Sequence, residues 1–162
     1  MTETAATQQP TRQIPLWLIR TIWKGHRALY RLTGGRFGLR TPTDTRWGML
    51  RLTTVGRRSG KERVAILGYI EDGGNLVIPA MNGWMDPEPA WWLNLQSNPE
   101  ATVELPAGSR QVTGRVAVEK EREGFWTRLV GLGTAAYTDA NAVLRSRETA
   151  VVVLERSPRA SA

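Results

Sequence analysis

The chain has no cysteine and a single histidine, His26. Without cysteine there is no disulfide framework, no thiolate zinc or iron–sulfur site and no cysteine nucleophile. One histidine leaves a Ser-His-Asp triad or a polyhistidine metal centre almost nothing to build on. No apolar run approaches the roughly 18–20 residues that a membrane-spanning helix needs. The start, Met1 to Thr11, is polar and lacks a basic region followed by an apolar stretch, so no secretory signal is expected. No GxGxxG leads from a strand into a helix, no Walker A spacing occurs, and no close carboxylate pair suggests a glycosidase. The chain is poor in reactive groups of its own. It is therefore either a binding module or an enzyme that borrows its chemistry from a cofactor.

What is present is globular in kind. The 162 residues are 41% hydrophobic and 23% charged, which suits one domain with its own core. The net charge of +7 is unevenly placed. Residues 12–63 hold thirteen Lys/Arg against Asp44 and Glu62, a net of +11, and the remainder is −4. A basic half suits an anionic partner: nucleic acid, an anionic membrane surface or a polyanionic small molecule. It equally suits a solvated surface, and the acidic remainder argues against a nucleic-acid-coating protein.

Hydrophobic periodicity gives the elements. From Ile14 to Leu32, Arg20, Lys24, Arg27 and Arg31 form one helical stripe, with Leu18, Ile19, Ile22, Trp23, His26, Leu29 and Tyr30 on the other side. Such a basic amphipathic helix can lie on an anionic membrane, or pack its apolar side on a core. His26 reads as a packed side chain rather than a catalyst. Strands are expected at Gly48–Val55, Arg63–Ile70, Asn75–Ala80, Ala101–Leu105, Gln111–Val118 and Thr149–Glu155. Helices are expected at Pro87–Asn98 and Glu119–Leu132. Six short strands with three helices imply a small, mostly antiparallel barrel carrying helices, an α+β fold.

Three constellations could carry chemistry. In the turn Gly56-Arg57-Arg58-Ser59-Gly60, followed by Arg63, backbone N–H groups, a hydroxyl and guanidinium forks suit a phosphate or carboxylate; an exposed basic hairpin is the plainer reading. In Pro79–Asn94, irregular backbone and the Trp91-Trp92 pair could hold a planar heterocycle, or the indoles could simply be core and interface. In Gly131–Asp139, a small-residue loop carries Tyr137, a possible hydrogen-bond or proton donor.

At this point a family resemblance stands out. The order Leu52-Thr53-Thr54-Val55-Gly56-Arg57-Arg58-Ser59-Gly60, Arg63, Asp72-Gly73-Gly74, Asn82-Gly83, Pro89-Ala90-Trp91-Trp92-Leu93-Asn94-Leu95 and Asn98-Pro99 resembles the deazaflavin-dependent nitroreductases of actinobacteria. The resemblance runs from about Arg46 to Glu155. It implies a split β-barrel that binds coenzyme F420 and uses the reduced form to reduce quinones, nitroimidazoles or activated alkenes. F420 carries a phosphodiester and a polyglutamate tail, which suits the basic half. By resemblance, Arg57, Arg58 and Ser59 hold the phosphate and tail. Arg63, Val64, Ala65, Ile66 and Leu67 lie on the strand beside the coenzyme. Pro79, Ala80, Met81 and Asn82 face the deazaflavin, and Ala90, Trp91, Trp92, Leu93 and Asn94 close the site. Tyr137, with Asp139 two residues on, looks like the tyrosine on the substrate side. This chain departs from the nitroimidazole-activating members, which have serine where it has Met81 and tyrosine where it has Gly68.

The resulting expectation is an F420H2-dependent oxidoreductase acting on a quinone, enone, nitro compound or similar electron-poor acceptor. The alternatives are an F420 carrier without turnover, or a flavin mononucleotide or haem protein on the same barrel. The expected organisation is a tail at 1–11, the basic helix at 12–35, the barrel at 46–156 and a tail at 157–162. No metal site and no nucleic-acid partner are expected. The protein is expected in the cytoplasm, with the inner membrane face as the place where the basic helix could hold it. The oligomeric state is left open, a monomer being slightly favoured.

Overall fold

The structure is a computed structural model, and it describes residues 38–82, 87–132 and 148–157. The basic helix expected near 12–35, with His26, lies outside the described residues, as do Tyr137 and its loop from 133 on, the N-terminal tail and the C-terminal tail beyond Ser157.

Six strands close into an antiparallel barrel: β1 (Gly48–Val55), β2 (Glu62–Asp72), β3 (Asn75–Pro79), β4 (Glu100–Leu105), β5 (Gly108–Val116) and β6 (Val151–Arg156). Helix α1 (Ala90–Ser97) joins β3 to β4, and α2 (Glu119–Leu132) follows β5. Around the barrel the order is β1-β2-β3-β6-β5-β4, and β4 pairs with β1 to close it. The first three strands form the expected meander. Less local is the pairing of β3 with β6, Leu76 to Leu154 and Pro79 to Val151, across more than seventy residues of chain.

Alternation explains the burial. On β1, Leu50, Leu52 and Thr54 point inward, and Arg51 and Thr53 point out. The barrel interior is built from Leu50, Leu52, Tyr69, Leu76, Ile78, Val103, Val112, Val152 and Leu154, and both tryptophans of α1 join it. A second cluster lies outside the barrel, where Phe125 and Leu129 of α2 cover Ile70, Val77, Val151 and Val153. This is why β3 and β6 are apolar at nearly every position: one face meets the interior and the other meets a helix.

The boundaries differ from the sequence reading for local reasons. β2 is longer than expected at both ends, reaching Glu62 and Asp72. β5 begins at Gly108, since Leu105 pairs with Gly108 around a tight turn. Helix α1 starts only at Ala90: Pro89 holds extended backbone as its N-cap, and the helix stops at Ser97 before Asn98-Pro99. At the start of α2, Glu121 Oε2 accepts from the Val118 N–H at 3.4 Å, as in a capping box. Both Glu121 carboxylate oxygens also accept from Arg115 of β5, whose Nε donates to Glu155 of β6 at 2.7 Å. One guanidinium thus fastens the helix to two strands.

Candidate functional site

The barrel wall parts at one place. The β2–β3 ladder runs from Asp72–Asn75 to Ile70–Val77 and ends there. Beyond it, β2 continues back to Glu62 paired with β1 alone, and β3 continues forward paired with β6. Among the described residues, the edge of β2 from Arg63 to Tyr69 therefore has a partner strand on one side only. The chain segments leaving the end of the ladder start at Tyr69 and Ile78, and they include 63–67 and 79–82, which the family resemblance assigns to the coenzyme. An unpaired sheet edge offers backbone donors and acceptors in a fixed row, which suits a planar ligand with hydrogen-bonding edges.

Side-chain exposure follows the same opening. Ala65 and Leu67 face inward and touch the barrel core, yet remain half-buried. Arg63, one step nearer the hairpin on the same row, is exposed, as is Val64 on the outer face; Ile66 is half-buried. On the other segment Pro79 and Ala80 are buried, while Met81 and Asn82 are half-buried. Asn82 Nδ2 donates to the Pro87 carbonyl at 3.2 Å and so ties the ends of the intervening loop together.

One sequence expectation changes here. Pro79–Asn82 opens the Pro79–Asn94 stretch whose irregular backbone is expected to offer N–H groups to a heterocycle. The Ala80 N–H donates to the Ala150 carbonyl and the Met81 N–H to the Pro79 carbonyl, both at 2.8 Å. The residue before β6 engages the first donor and a local turn the second.

The basic hairpin at the end of β2 changes in the same sense. Gly56 N–H donates to Lys61 O, and Ser59 and Gly60 N–H both donate to Gly56 O. Lys61 N–H reaches Ser59 Oγ, and Arg57 N–H reaches Asn94 Oδ1. The Gly56, Ser59, Gly60 and Lys61 amides are thus engaged within the loop, and that of Arg57 by the Asn94 side chain. Gly56 is needed for this fold, since a Cβ there would sit 3.0 Å from both Lys61 O and Ser59 Oγ. What the loop presents outward is charge: Arg57, Arg58, Lys61 and Arg63 are all exposed. Arg63 Nη2 donates to Ser59 Oγ at 3.2 Å, which places that hydroxyl among the cations. The donor set is right for an anionic tail, delivered by side chains instead of backbone.

Helix α1 divides its residues by face. Trp91 and Trp92 are 7% and 6% exposed, with ring centroids 6.5 Å apart, and belong to the barrel core. Among the described residues, neither indole Nε1 has a hydrogen-bond partner. Ala90 and Leu93, one turn apart, are the members of the Ala90–Asn94 set left open to a ligand, exposed and half-buried respectively. Asn94 is buried, and its amide bonds Thr54 and the hairpin.

Two residues with structural weight at the site were not assigned from the sequence. Thr54 occupies the inward row of β1; a hydroxyl in an otherwise apolar row must be bonded, and that phase was a readable signal. Trp47 lies across Gly68, with its indole N–H donating to the Leu129 carbonyl at 3.0 Å. Only the tertiary structure brings these together, since Trp47 and Leu129 are 82 residues apart.

Residues 22–156 match the model of a family described as F420H(2)-dependent quinone reductase. The chain belongs to this F420H2-dependent quinone reductase family. It is 33% identical over 122 residues to a Mycobacterium tuberculosis protein named for that activity, covering 75% of this chain and 96% of the relative. A second M. tuberculosis protein of the same name class is 36% identical over 86 residues, 53% of this chain and 55% of its own length. Among solved structures, an F420-H2-dependent reductase of the FDR-A type superposes with a TM-score of 0.57 at 26% identity, covering 73% of this chain and all of that one. Another, described as a domain-swapped dimer, gives 0.58 at 25% identity over 84% of this chain and 99% of that one. Family membership makes the chain an F420-dependent oxidoreductase on a split barrel, with F420 as its hydride carrier. The resemblance drawn from TTxGRxSGxxR and PxWxxNLxxNP is borne out in coenzyme and fold, and the family's description names quinones as acceptors.

Proposed function

We propose that the F420 of this enzyme lies in the opening where β2 and β3 part, with its anionic tail on the basic hairpin, and that the acceptor is a quinone. The observation that carries this reading is the end of the β2–β3 ladder at Ile70–Val77, between segments 63–67 and 79–82. When bound, the reduced coenzyme supplies the hydride; with one proton this converts a quinone to a hydroquinone.

The protein's own part is placement. Arg57, Arg58 and Arg63, with Ser59, would hold phosphate and carboxylate groups of the tail. The unpaired edge of β2 at Val64–Leu67 and the half-buried Met81 and Asn82 would flank the ring, and Ala90 and Leu93 would close it from α1. Helix α1 starts without a side-chain cap, and its N-terminal end favours a partial negative charge. Holding two flat reactants face to face would account for much of the rate. Tyr137 is proposed as proton donor to the reduced acceptor. A Tyr137→Phe enzyme with undiminished turnover across pH would remove it from that role.

The basic, amphipathic sequence at 12–35 supports a peripheral hold on an anionic membrane, where lipophilic quinones reside. No helix among the described residues is long and apolar enough to cross a membrane. Charge reversal of Arg20, Lys24 and Arg27 should weaken binding to anionic vesicles, and unchanged binding at low salt would sink the idea.

The deciding experiment is fluorescence titration of the purified chain with F420, with flavin mononucleotide in parallel, followed by anaerobic oxidation of F420H2 by a soluble naphthoquinone. Tight F420 binding and stoichiometric hydroquinone support the reading. F420 binding without oxidation by any quinone would leave a carrier, and preference for flavin mononucleotide would overturn the coenzyme.

A further inference from the structure

Asn94 and Thr54 are 3% and 2% exposed, and the described part of the chain buries one further polar residue, Thr149. A buried primary amide is costly unless its hydrogen bonds are made, and a leucine would fill a similar volume without that demand. The bonds Asn94 makes are specific. Its Nδ2 donates to Thr54 Oγ1 at 3.1 Å, and its Oδ1 accepts from the Arg57 backbone N–H at 3.1 Å. Thr54 Oγ1 in turn donates to the Arg63 carbonyl at 3.4 Å. From one turn of α1, Asn94 therefore reaches the β1 arm of the basic hairpin directly, at Thr54 and Arg57, and the β2 arm at Arg63 through the Thr54 hydroxyl.

We propose that Asn94 is a positioning residue. It couples helix α1 to the hairpin, and so sets how strongly the site prefers a deazaflavin carrying an anionic tail over the same ring without one. The inference rests on the reading that Arg57 and Arg58 hold that tail. The physical reason is preorganisation. Arg57 and Arg58 are long side chains on an exposed loop, and their forks can meet a phosphate in a fixed geometry only if the backbone beneath them is held. The loop's own hydrogen bonds give it a shape, but the bond to Asn94 fixes that shape to the helix that borders the ring. Without it, the hairpin can pivot on its two strand ends, and the arginines must be ordered at the moment of binding.

The test compares affinities for F420 and for the tail-free deazaflavin with its ribityl chain, measured by fluorescence on the full chain, in the parent, Asn94→Ala, Thr54→Val, Arg57→Ala and Arg58→Ala. Amide exchange at Arg57, read by NMR, reports the anchor directly. Asn94→Ala should release the Arg57 amide to fast exchange. It should weaken F420 binding about tenfold while changing tail-free binding by less than about twofold. Thr54→Val keeps the Arg57 bond and should lose less. Equal loss for both ligands, or F420 affinity unchanged with the Arg57 amide released, would overturn the proposal. If Asn94→Ala does not fold, Asn94→Asp keeps an acceptor for the Arg57 N–H and should keep both the protected amide and the preference for the tail. Loss of that preference with the amide still protected would equally overturn it. The arginine variants separate the two readings. If neither weakens F420 binding, the hairpin does not hold the tail, and the proposal falls with that reading. If they do and Asn94→Ala does not, the hairpin reading stands and the coupling through Asn94 is wrong.

Discussion

Trp47 packs across Gly68 so closely that a Cβ at position 68 would stand 2.6 Å from Trp47 Cε3. Gly68 is on the outer face of β2, paired with Met49 of β1, and the ring that covers it is held by the Leu129 carbonyl near the end of α2. The position where the nitroimidazole-activating relatives were expected to carry a tyrosine is thus occupied by the face of an indole. The missing side chain at 68 and the presence of Trp47 are one arrangement.

Substituting Gly68 should therefore be costly out of proportion to its size. Gly68→Ala must move the indole or the strand, at about 1–3 kcal/mol, the range for overpacking a well-filled site. Denaturant melts would measure it. In a Trp47→Ala background the same change should cost much less, because the clashing ring is gone. Equal cost in both backgrounds would mean that the strain lies in the strand.

The basic hairpin should act through its side chains. Arg57→Ala and Arg58→Ala should each weaken F420 binding about tenfold at low salt, the scale of one lost charge-assisted bond, and less as ionic strength rises. Ser59→Ala should weaken it less, since that hydroxyl already serves Arg63 and Lys61. Titrations at two salt concentrations test the order.

Acid should loosen α2 before the barrel. The Arg115 guanidinium, bonded to Glu121, holds that carboxyl below its ordinary value of 4.5, with the Val118 N–H helping. A lowered folded value means that this contribution is present above pH 4.5 and is lost as pH falls through the folded value. The carboxylate is about a third exposed, so solvent screening keeps the effect modest. Glu121→Gln should flatten the acid limb of a stability profile and leave the neutral region nearly parallel to the parent. An unchanged acid limb would remove this pair from the account.

Alkali should act through Tyr69. Burial in the barrel, with the Glu71 charge adding and Arg110 opposing, pushes its phenol up to about 12 from 10. A raised folded value means that the unfolded chain loses its proton first, so stability is full below pH 10 and falls between 10 and about 12. A late-titrating phenol should be visible by ultraviolet absorbance and disappear in Tyr69→Phe, along with part of the alkaline limb. A titration that Tyr69→Phe leaves unchanged would contradict the burial of Tyr69.

Much of this fold was readable in the chain because it is local. Alternation, or for β3 and β6 a short apolar run, placed the strands, and the Pro89 and Asn98-Pro99 boundaries bracketed α1, since these depend on φ/ψ and side-chain phase within a few residues. The coenzyme class was readable through a spaced motif. What that motif does was not. Thr54, Gly56, Arg57 and Asn94 all stand in that string, and Arg57 and Asn94 read as ligands would both face the coenzyme. In the fold, Gly56 gives room for the hairpin to close on itself, and Asn94 binds that hairpin to the helix. The same holds for the backbone N–H groups at Gly56–Gly60, of which those of Gly56, Arg57, Ser59 and Gly60 are bonded within the protein. A free N–H and an engaged one look alike in a sequence, and only the path of the loop shows where each hydrogen bond goes.

By itself, then, the amino-acid sequence determined the six strands and two helices of the described residues and the basic and acidic halves, while its resemblance to a family pointed to the coenzyme. The elements and the charge follow from side-chain chemistry and short-range periodicity. The tertiary structure alone decided that β3 pairs with β6 and β1 with β4, that the β2–β3 ladder stops at Ile70–Val77, and that Trp47 seals Gly68. Strand partners and the point where a ladder ends are set by closure of the barrel around its core, a sum of contacts between residues far apart in the chain. No local pattern encodes that sum.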